Sequence, residues 1–248
     1  MSDDRAADGS LATQLVADAS GRLIRTVDGF HDGDWTAASL LPGWSRAHVV
    51  AHLALNAEGI ARALGGLVAA EGDDGPRAMY DSDEKRDSDI LELATAEPRE
   101  IRDRLLAGTT TLQHAIGAVP DDAWDTPLER TPGGRVIRAR AFPGMRLTEL
   151  EIHHVDLGTA YSTADWSTTF AGLLLDSMAK RAGMPGPFEV APLDLPGRRW
   201  TFGEHADAAP EIPVVTGRAA DIGWWLSGRS VPDGLSCSRG ELPSIEGW

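Results

Sequence analysis

Apolar residues along roughly the first two thirds of the chain recur every three to four positions, which is the period of an amphipathic helix. We predict helices over these segments: Leu11 to Phe30, Ser45 to Ala70, Asp83 to Thr95, Pro98 to Val119 and Pro143 to Tyr161. Ser45 is expected to cap the second helix, and Pro98 suits the first turn of the fourth. The four long helices of this set fit an up-and-down bundle.

The pattern changes after about Thr163, where short alternating runs of apolar and polar residues replace the long helical repeats. We predict one helix from Thr168 to Arg181 and a second from Asp221 to Leu226. The runs between these helices are typical of strands: Phe188–Val190, Arg198–Phe202 and Pro213–Thr216. The predicted fold class is therefore mainly α, with a four-helix bundle at residues 1–162 and a smaller α+β domain at residues 163–248.

The charge and composition of the 248-residue chain exclude several classes of partner and site. Its net charge of −15 disfavours nucleic acid and anionic membrane surfaces as partners. No apolar run approaches the ~20 residues of a membrane span, and the N-terminus lacks a signal-peptide pattern. Because Cys237 is the single cysteine, a disulfide within the chain and a cysteine-rich zinc site are both excluded. We therefore expect a soluble, cytoplasmic protein that is a monomer or a small homo-oligomer.

The last predicted helix of the bundle carries a stripe of charged side chains on one face. Its members follow one another at intervals of three, four and three residues: Arg146, Glu149, His153 and Asp156. This spacing stacks the side chains over about three helical turns, so that an imidazole and a carboxylate can bind the same ion. One such pair by itself is more typical of a solvated helix face than of a metal site.

A second segment with histidines gives this stripe a possible partner. His48 and His52 lie four residues apart on the predicted helix that Ser45 caps. If that helix faces the stripe, His52 joins Glu149 and His153 to supply two imidazoles and one carboxylate. This donor set suits zinc and leaves a position open for a substrate, as a catalytic metal site requires. His48 could ligate instead of His52, although a supporting or packing role is the more natural interpretation.

Three stretches of the chain resemble the mycothiol-dependent maleylpyruvate isomerase family, within the DinB-like superfamily of metal-dependent thiol enzymes. The stretches are Leu41–Ala54, Met79–Ser82 with Arg86, and Arg146–Leu157. A looser similarity continues into the second part of the chain. There, Ile222–Arg229 resembles a helix and a functional arginine of the family's sterol-carrier-like domain.

The resemblance implies a DinB-like bundle with metal ligands at His52, Glu149 and His153, and functional arginines at Arg86 and Arg229. It implies a divalent metal as a cofactor, with zinc as the expected ion, and mycothiol as a thiol cofactor. The implied reaction is the cis–trans isomerisation of maleylpyruvate to fumarylpyruvate. The double bond must become single for a moment, and reversible addition of a metal-stabilised thiolate achieves this. Arginines would hold the two carboxylates of this small-molecule substrate.

Other functions and roles stay open at this level. A thiol S-transferase acting on another electrophile would use the same metal site, whereas a non-catalytic protein that binds an apolar ligand would need no metal. Asp156 could orient a ligand imidazole or pair with a surface cation. Arg86 could be an ordinary surface residue, and Arg229 could simply complement the C-terminus of a helix. The role of Arg146 stays open as well.

Overall fold

The computed structural model describes residues 2–68, 78–181, 184, 186–203 and 212–245, with side chains from residue 11 onward except that of residue 12. The chain divides into two compact units, Met1–Thr159 and Ala160–Trp248. The sequence pattern predicts this division at 162–163. The first unit is helical and the second combines helices with a small sheet, so the predicted mainly α fold class with a smaller α+β part is confirmed.

The first unit consists of six helices and a short ribbon in its described residues. The helices are α1 (Ser2–Asp28), α2 (Asp32–Thr36), α3 (Arg46–Gly65), α4 (Asp83–Ala94), α5 (Pro98–Ala118) and α6 (Phe142–Asp156). Strands β1 (Pro127–Glu129) and β2 (Val136–Arg138) pair antiparallel between α5 and α6. Among the described residues, no helix is long and apolar enough to cross a membrane.

In the first unit, three helix ends differ from the predicted ones by more than two residues. Helix α1 begins at Ser2 instead of Leu11, where the apolar repeat on which the prediction rests begins. Helix α6 ends at Asp156 instead of Tyr161, because Gly158 takes a left-handed conformation (φ +64°) that stops the helix. Helix α3 ends at Gly65, and the last predicted residues of that helix lie outside the described part of the chain.

Helix α3 lies at the centre of the first unit. It is apolar on nearly every face, and such a helix is stable only when other elements surround it. Ser45 caps it by accepting a hydrogen bond from the backbone N–H of His48, as predicted. Gly108 of α5 allows a close approach, since a Cβ atom there would lie 3.1 Å from the carbonyl oxygen of Ala54. The interior of the first unit is therefore formed by the packing of α3 against its neighbouring helices.

The second unit packs two helices with a four-stranded sheet. Its described elements are α7 (Thr168–Met178), β3 (Phe188–Val190), β4 (Trp200–Phe202), β5 (Val214–Thr216), α8 (Ala219–Leu226) and β6 (Ser236–Cys237). The strand order is β4-β3-β5-β6, with β3 and β5 parallel and the other two pairs antiparallel. Strand β6 was not predicted, because a two-residue strand shows no alternation. The Phe188 ring stacks on Phe202 with centroids 5.0 Å apart, and Trp225 of α8 lies 5.7 Å from Phe188.

Candidate metal centre

Helices α3 and α6 bring together the three side chains that the sequence predicts as metal ligands. The Nε2 atom of His52 lies 2.8 Å from Oε2 of Glu149, and Nε2 of His153 lies 3.3 Å from the same oxygen. One donor atom from each residue falls within 4.8 Å of the other two. Helices α3 and α6 therefore face each other at this level, which the sequence analysis could only assume. That these donors bind a metal stays a prediction.

The spacing of these donors fits a tetrahedral divalent cation such as zinc. With ligand–zinc distances of about 2.0–2.1 Å, neighbouring donors of a tetrahedron lie about 3.3 Å apart. The two measured distances from the Glu149 oxygen are 2.8 and 3.3 Å. The side chain of His52 is 4% exposed, while those of His153 and Glu149 are 16% and 27% exposed. The cluster is thus enclosed on the α3 side and accessible on the α6 side.

The outer nitrogen of His153 is held by a buried carboxylate. Nδ1 of His153 lies 2.8 Å from Oδ2 of Asp156, whose side chain is fully buried. A carboxylate only accepts hydrogen bonds when ionised, so the proton of neutral His153 lies on Nδ1 and the lone pair on Nε2. This is the orientation that a metal-ligating imidazole needs. Of the two roles left open for Asp156, the structure therefore favours the orientation of an imidazole.

The outer nitrogen of His52 has the opposite partner. Nη2 of Arg86 lies 3.2 Å from Nδ1 of His52, and a guanidinium can only donate. This contact places the lone pair of neutral His52 on Nδ1 and its proton on Nε2, facing the Glu149 carboxylate. Ligation through Nε2 needs the reverse tautomer. For a neutral imidazole, metal ligation through Nε2 and the Arg86 contact at Nδ1 are thus mutually exclusive.

The ionisation of the cluster follows from burial and from these contacts. Burial lowers the pKa of His52 to about 4, although the Glu149 carboxylate acts in the opposite direction. Burial would also lower the pKa of His153, but hydrogen bonds to Asp156 and Glu149 outweigh it and raise that pKa. Burial opposes ionisation of Glu149, yet hydrogen bonds from both imidazoles hold its pKa well below the usual value. A cation bound at Nε2 of His153 would therefore compete with the proton that the raised pKa favours.

The two remaining histidines of these helices serve local structure. Nδ1 of His48 lies 2.7 Å from Oγ of Ser45 at the start of α3, so His48 belongs to the helix cap and not to the cluster. Nε2 of His154 lies 2.7 Å from Oγ1 of Thr26 on α1. The position of His48 agrees with the supporting role expected from the sequence.

Two aromatic side chains next to the cluster were not singled out from the sequence. The Trp44 ring meets the His52 ring edge-on, with centroids 5.9 Å apart. The Tyr80 ring lies 5.7 Å from the guanidinium carbon of Arg86. Both residues fall within the stretches that carry the resemblance, but an aromatic residue gives no metal-binding signal by itself. Their contribution is to hold His52 and Arg86 in place.

Arg229, the second predicted functional arginine, belongs to the second unit. It follows the C-terminus of α8, where its Nη1 donates to the carbonyl oxygen of Ser227 at 2.7 Å. Its guanidinium carbon lies 5.9 Å from the centre of the Trp224 ring. These contacts match the structural role of complementing a helix C-terminus. A role in binding substrate stays a prediction.

The fold and the cluster together make this a helical-bundle protein with a candidate metal site, in which two facing helices present two imidazoles and one carboxylate. Residues 16–158 match the family model of the mycothiol maleylpyruvate isomerase N-terminal domain. The chain belongs to this family, as the resemblance of the three stretches predicts. A comparison with the curated proteins finds no match.

Two solved structures are similar to this chain over nearly its whole length. One is the crystal structure of a mycothiol-dependent maleylpyruvate isomerase, at 26% sequence identity and a TM-score of 0.83. The other is the H52A mutant of a mycothiol-dependent maleylpyruvate isomerase, at 25% identity and the same TM-score. In both comparisons the similarity covers 97% of this chain and 97% of the other.

Proposed function

We propose that this protein is a metal-dependent cis–trans isomerase that uses mycothiol to convert maleylpyruvate, or a closely similar dicarboxylate, into its trans isomer. The observation that carries the proposal is the cluster of His52, Glu149 and His153, with His153 oriented by Asp156. Membership of the mycothiol maleylpyruvate isomerase family and the similar solved isomerase support the choice of thiol and reaction. Zinc is the ion that we expect.

The chemistry divides between the thiol and the residues of this chain. A divalent cation held by the three ligands would stabilise the thiol as a thiolate at neutral pH. Addition of the thiolate sulfur to one carbon of the double bond moves the π electron pair onto the conjugated carbonyl group of the substrate. A carbon–carbon single bond that can rotate is left until the pair returns and expels the sulfur. Departure of the sulfur then restores the double bond, so the thiol is not consumed. Cys237 is the single cysteine and has no recognisable reactive context in the sequence, so an external thiol suits this cycle better than a protein thiol.

The arginines of the chain would bind the carboxylates of the substrate. The guanidinium of Arg86 contacts a ligand imidazole, which puts a permanent positive charge beside the cluster. When the proton of His52 moves to Nδ1, Arg86 loses its acceptor there and its guanidinium becomes available to an anionic group. We propose Arg86 for a substrate carboxylate, because a planar guanidinium pairs with a carboxylate through two hydrogen bonds.

The test combines elemental analysis with a spectroscopic assay of the purified full-length protein. We expect about one zinc or similar ion per chain, and a change in the ultraviolet spectrum of maleylpyruvate that requires catalytic amounts of mycothiol. His52→Ala should abolish both, whereas His48→Ala, one turn earlier on the same helix, should retain the ion. A protein without stoichiometric metal whose properties do not change in His52→Ala would overturn the proposal. Metal binding with no thiol-dependent spectral change would favour the S-transferase.

A further inference from the structure

Arg146 is a completely buried arginine one turn before Glu149 on helix α6. Its Nη1 donates to the backbone carbonyl oxygen of Leu53 and to Oδ1 of Asn56, both at 2.8 Å. Among the described residues, no hydrogen-bond acceptor meets its Nε or Nη2. The nearby Glu149 and Tyr80 act on it only through space, and burial lowers the pKa of Arg146 to about 10. The guanidinium is therefore held by neutral acceptors of helix α3.

The position of those acceptors connects Arg146 to the candidate ligands. Leu53 directly follows His52 on α3, and Asn56 lies one turn further along the same helix. One nitrogen of Arg146 thus bonds to α3 beside one candidate ligand, while its own backbone lies one turn from Glu149. Two hydrogen bonds across the helix pair fix the separation and the axial register of α3 and α6 at that level.

Arg146 is also connected to the Nδ1 side of His52 through a series of side-chain contacts. Asn56 accepts from Arg146 through its oxygen, which leaves its amide nitrogen to donate to the Tyr80 hydroxyl. The Tyr80 ring in turn packs against Arg86, whose Nη2 contacts His52. Removal of Arg146 would therefore disturb both the helix spacing and the side chains that surround His52.

The stability of the folded protein does not explain why a buried arginine occupies position 146. Burial of a cation is costly, and apolar residues of similar volume often stabilise a core as well or better. The described residues provide no carboxylate that contacts this guanidinium. What an apolar residue could not supply is a directed bond from α6 to a chosen carbonyl of α3.

We propose that Arg146 is a positioning residue that holds helix α6 in register with helix α3, so that Glu149 and His153 meet His52 at metal-binding distance. This inference rests on the proposed metal centre and assigns a role to a residue outside the ligand set. The role predicts a loss of metal affinity, and not merely of stability, when the two hydrogen bonds are removed.

The test measures zinc affinity by competition with a chelator, together with the unfolding temperature of the metal-free protein. Arg146→Met retains a flexible, unbranched side chain and removes both bonds, and Arg146→Lys retains the charge without the planar guanidinium. Glu151→Gln is the matched control, since Glu151 is a buried polar residue of α6 that pairs with Arg22 on α1. Partners that orient metal ligands typically contribute about 10- to 100-fold in metal affinity, and we expect this loss in Arg146→Met.

The outcomes separate the role of Arg146 from the metal centre itself. We expect a smaller loss of zinc affinity in Arg146→Lys and a change of at most about twofold in Glu151→Gln. Unchanged zinc affinity in a folded Arg146→Met, whatever its unfolding temperature, overturns the positioning role alone. If Arg146→Met does not fold, unchanged affinity in Arg146→Lys decides the question in the same way. A wild-type protein that binds no divalent ion overturns the metal centre.

Discussion

The two imidazoles of the cluster share one carboxylate but differ in what supports them from behind. His153 lies against a fully buried carboxylate, that of Asp156, which accepts from Nδ1. His52 lies against a guanidinium, that of Arg86, which donates to Nδ1. Both rings present Nε2 to Glu149. The first environment presents a lone pair to a cation in advance, and the second presents a proton.

His153, on α6, is thus already in the tautomer that can bind a cation through Nε2. His52, on α3, is held by Arg86 in the tautomer that cannot. Binding at His153 uses the lone pair that the Asp156 contact already places on Nε2 of the neutral ring. Binding at His52 requires the proton of a neutral ring to change nitrogen and Arg86 to give up its contact. The comparison predicts that variants on the two sides change metal affinity in opposite directions.

The largest effect should come from Glu149, because its carboxylate is common to both sides. Glu149→Gln retains the shape but removes the negative charge that both imidazoles face. We expect metal affinity to fall by more than the roughly 100-fold that a supporting partner can contribute. Elemental analysis after dialysis against a weak chelator measures this loss.

The control for this variant is Glu58→Gln, which removes an ion pair with Arg104 on the surface of α3 and α5. Its metal content should equal that of the wild type. Stoichiometric zinc in Glu149→Gln after the same dialysis would show that Glu149 is not a ligand. The two imidazoles would then no longer share a metal-binding carboxylate.

A smaller effect is expected from Asp156, which supports His153 alone. Asp156→Asn retains the volume, but its amide can turn to donate to Nδ1 and so stabilise the wrong tautomer of His153. We expect about a 10- to 100-fold loss of zinc affinity. Chelator competition measures the affinity, and nitrogen chemical shifts of the imidazole report the tautomer.

The unfolding temperature of metal-free Asp156→Asn must be measured as well, because the side chain is fully buried and has further contacts. A variant that unfolds earlier but binds zinc like the wild type would assign Asp156 to the fold. In that case the difference between the two imidazoles would not bear on metal binding.

The spacing along each helix could be predicted from the sequence, but the arrangement between helices could not. Intervals of three and four residues suffice to place Glu149, His153 and Asp156 on one face of α6. The meeting with His52 depends on the packing of α3 against α6, which no periodicity encodes. The resemblance to a known family supplied that pairing in advance.

Local chemistry also explains what the sequence did not reveal. Arg146 looked like one more member of a charged stripe, since its type and spacing carry no sign that it is fully buried. Arg86 is one of the two predicted functional arginines, and the structure describes its contact with a candidate ligand. This contact depends on the packing of α4, the helix that carries Arg86, against α3, and no periodicity encodes that packing.

The smallest effect, and the one of opposite sign, should come from Arg86. Arg86→Gln removes a positive charge beside the cluster and replaces a pure donor with a side chain whose carbonyl can accept from Nδ1 of His52. Both changes favour the ligating tautomer. Because the arginine is partly exposed, we expect zinc affinity to rise by only about two- to fivefold. Thiol-dependent turnover should fall, because the substrate loses a cationic partner.

The matched control is Arg62→Gln, which removes another partly exposed arginine of the same region, one that pairs with Asp81 and has no contact with His52 among the described hydrogen bonds. Its zinc affinity should stay within about twofold of the wild type. Weaker zinc binding in Arg86→Gln would contradict the tautomer argument, because it would mean that the guanidinium supports His52 as a ligand. Tighter zinc binding together with reduced turnover would support both proposed roles of Arg86. Its contact with His52 would weaken metal binding, and its guanidinium would contribute to turnover by binding an anionic group.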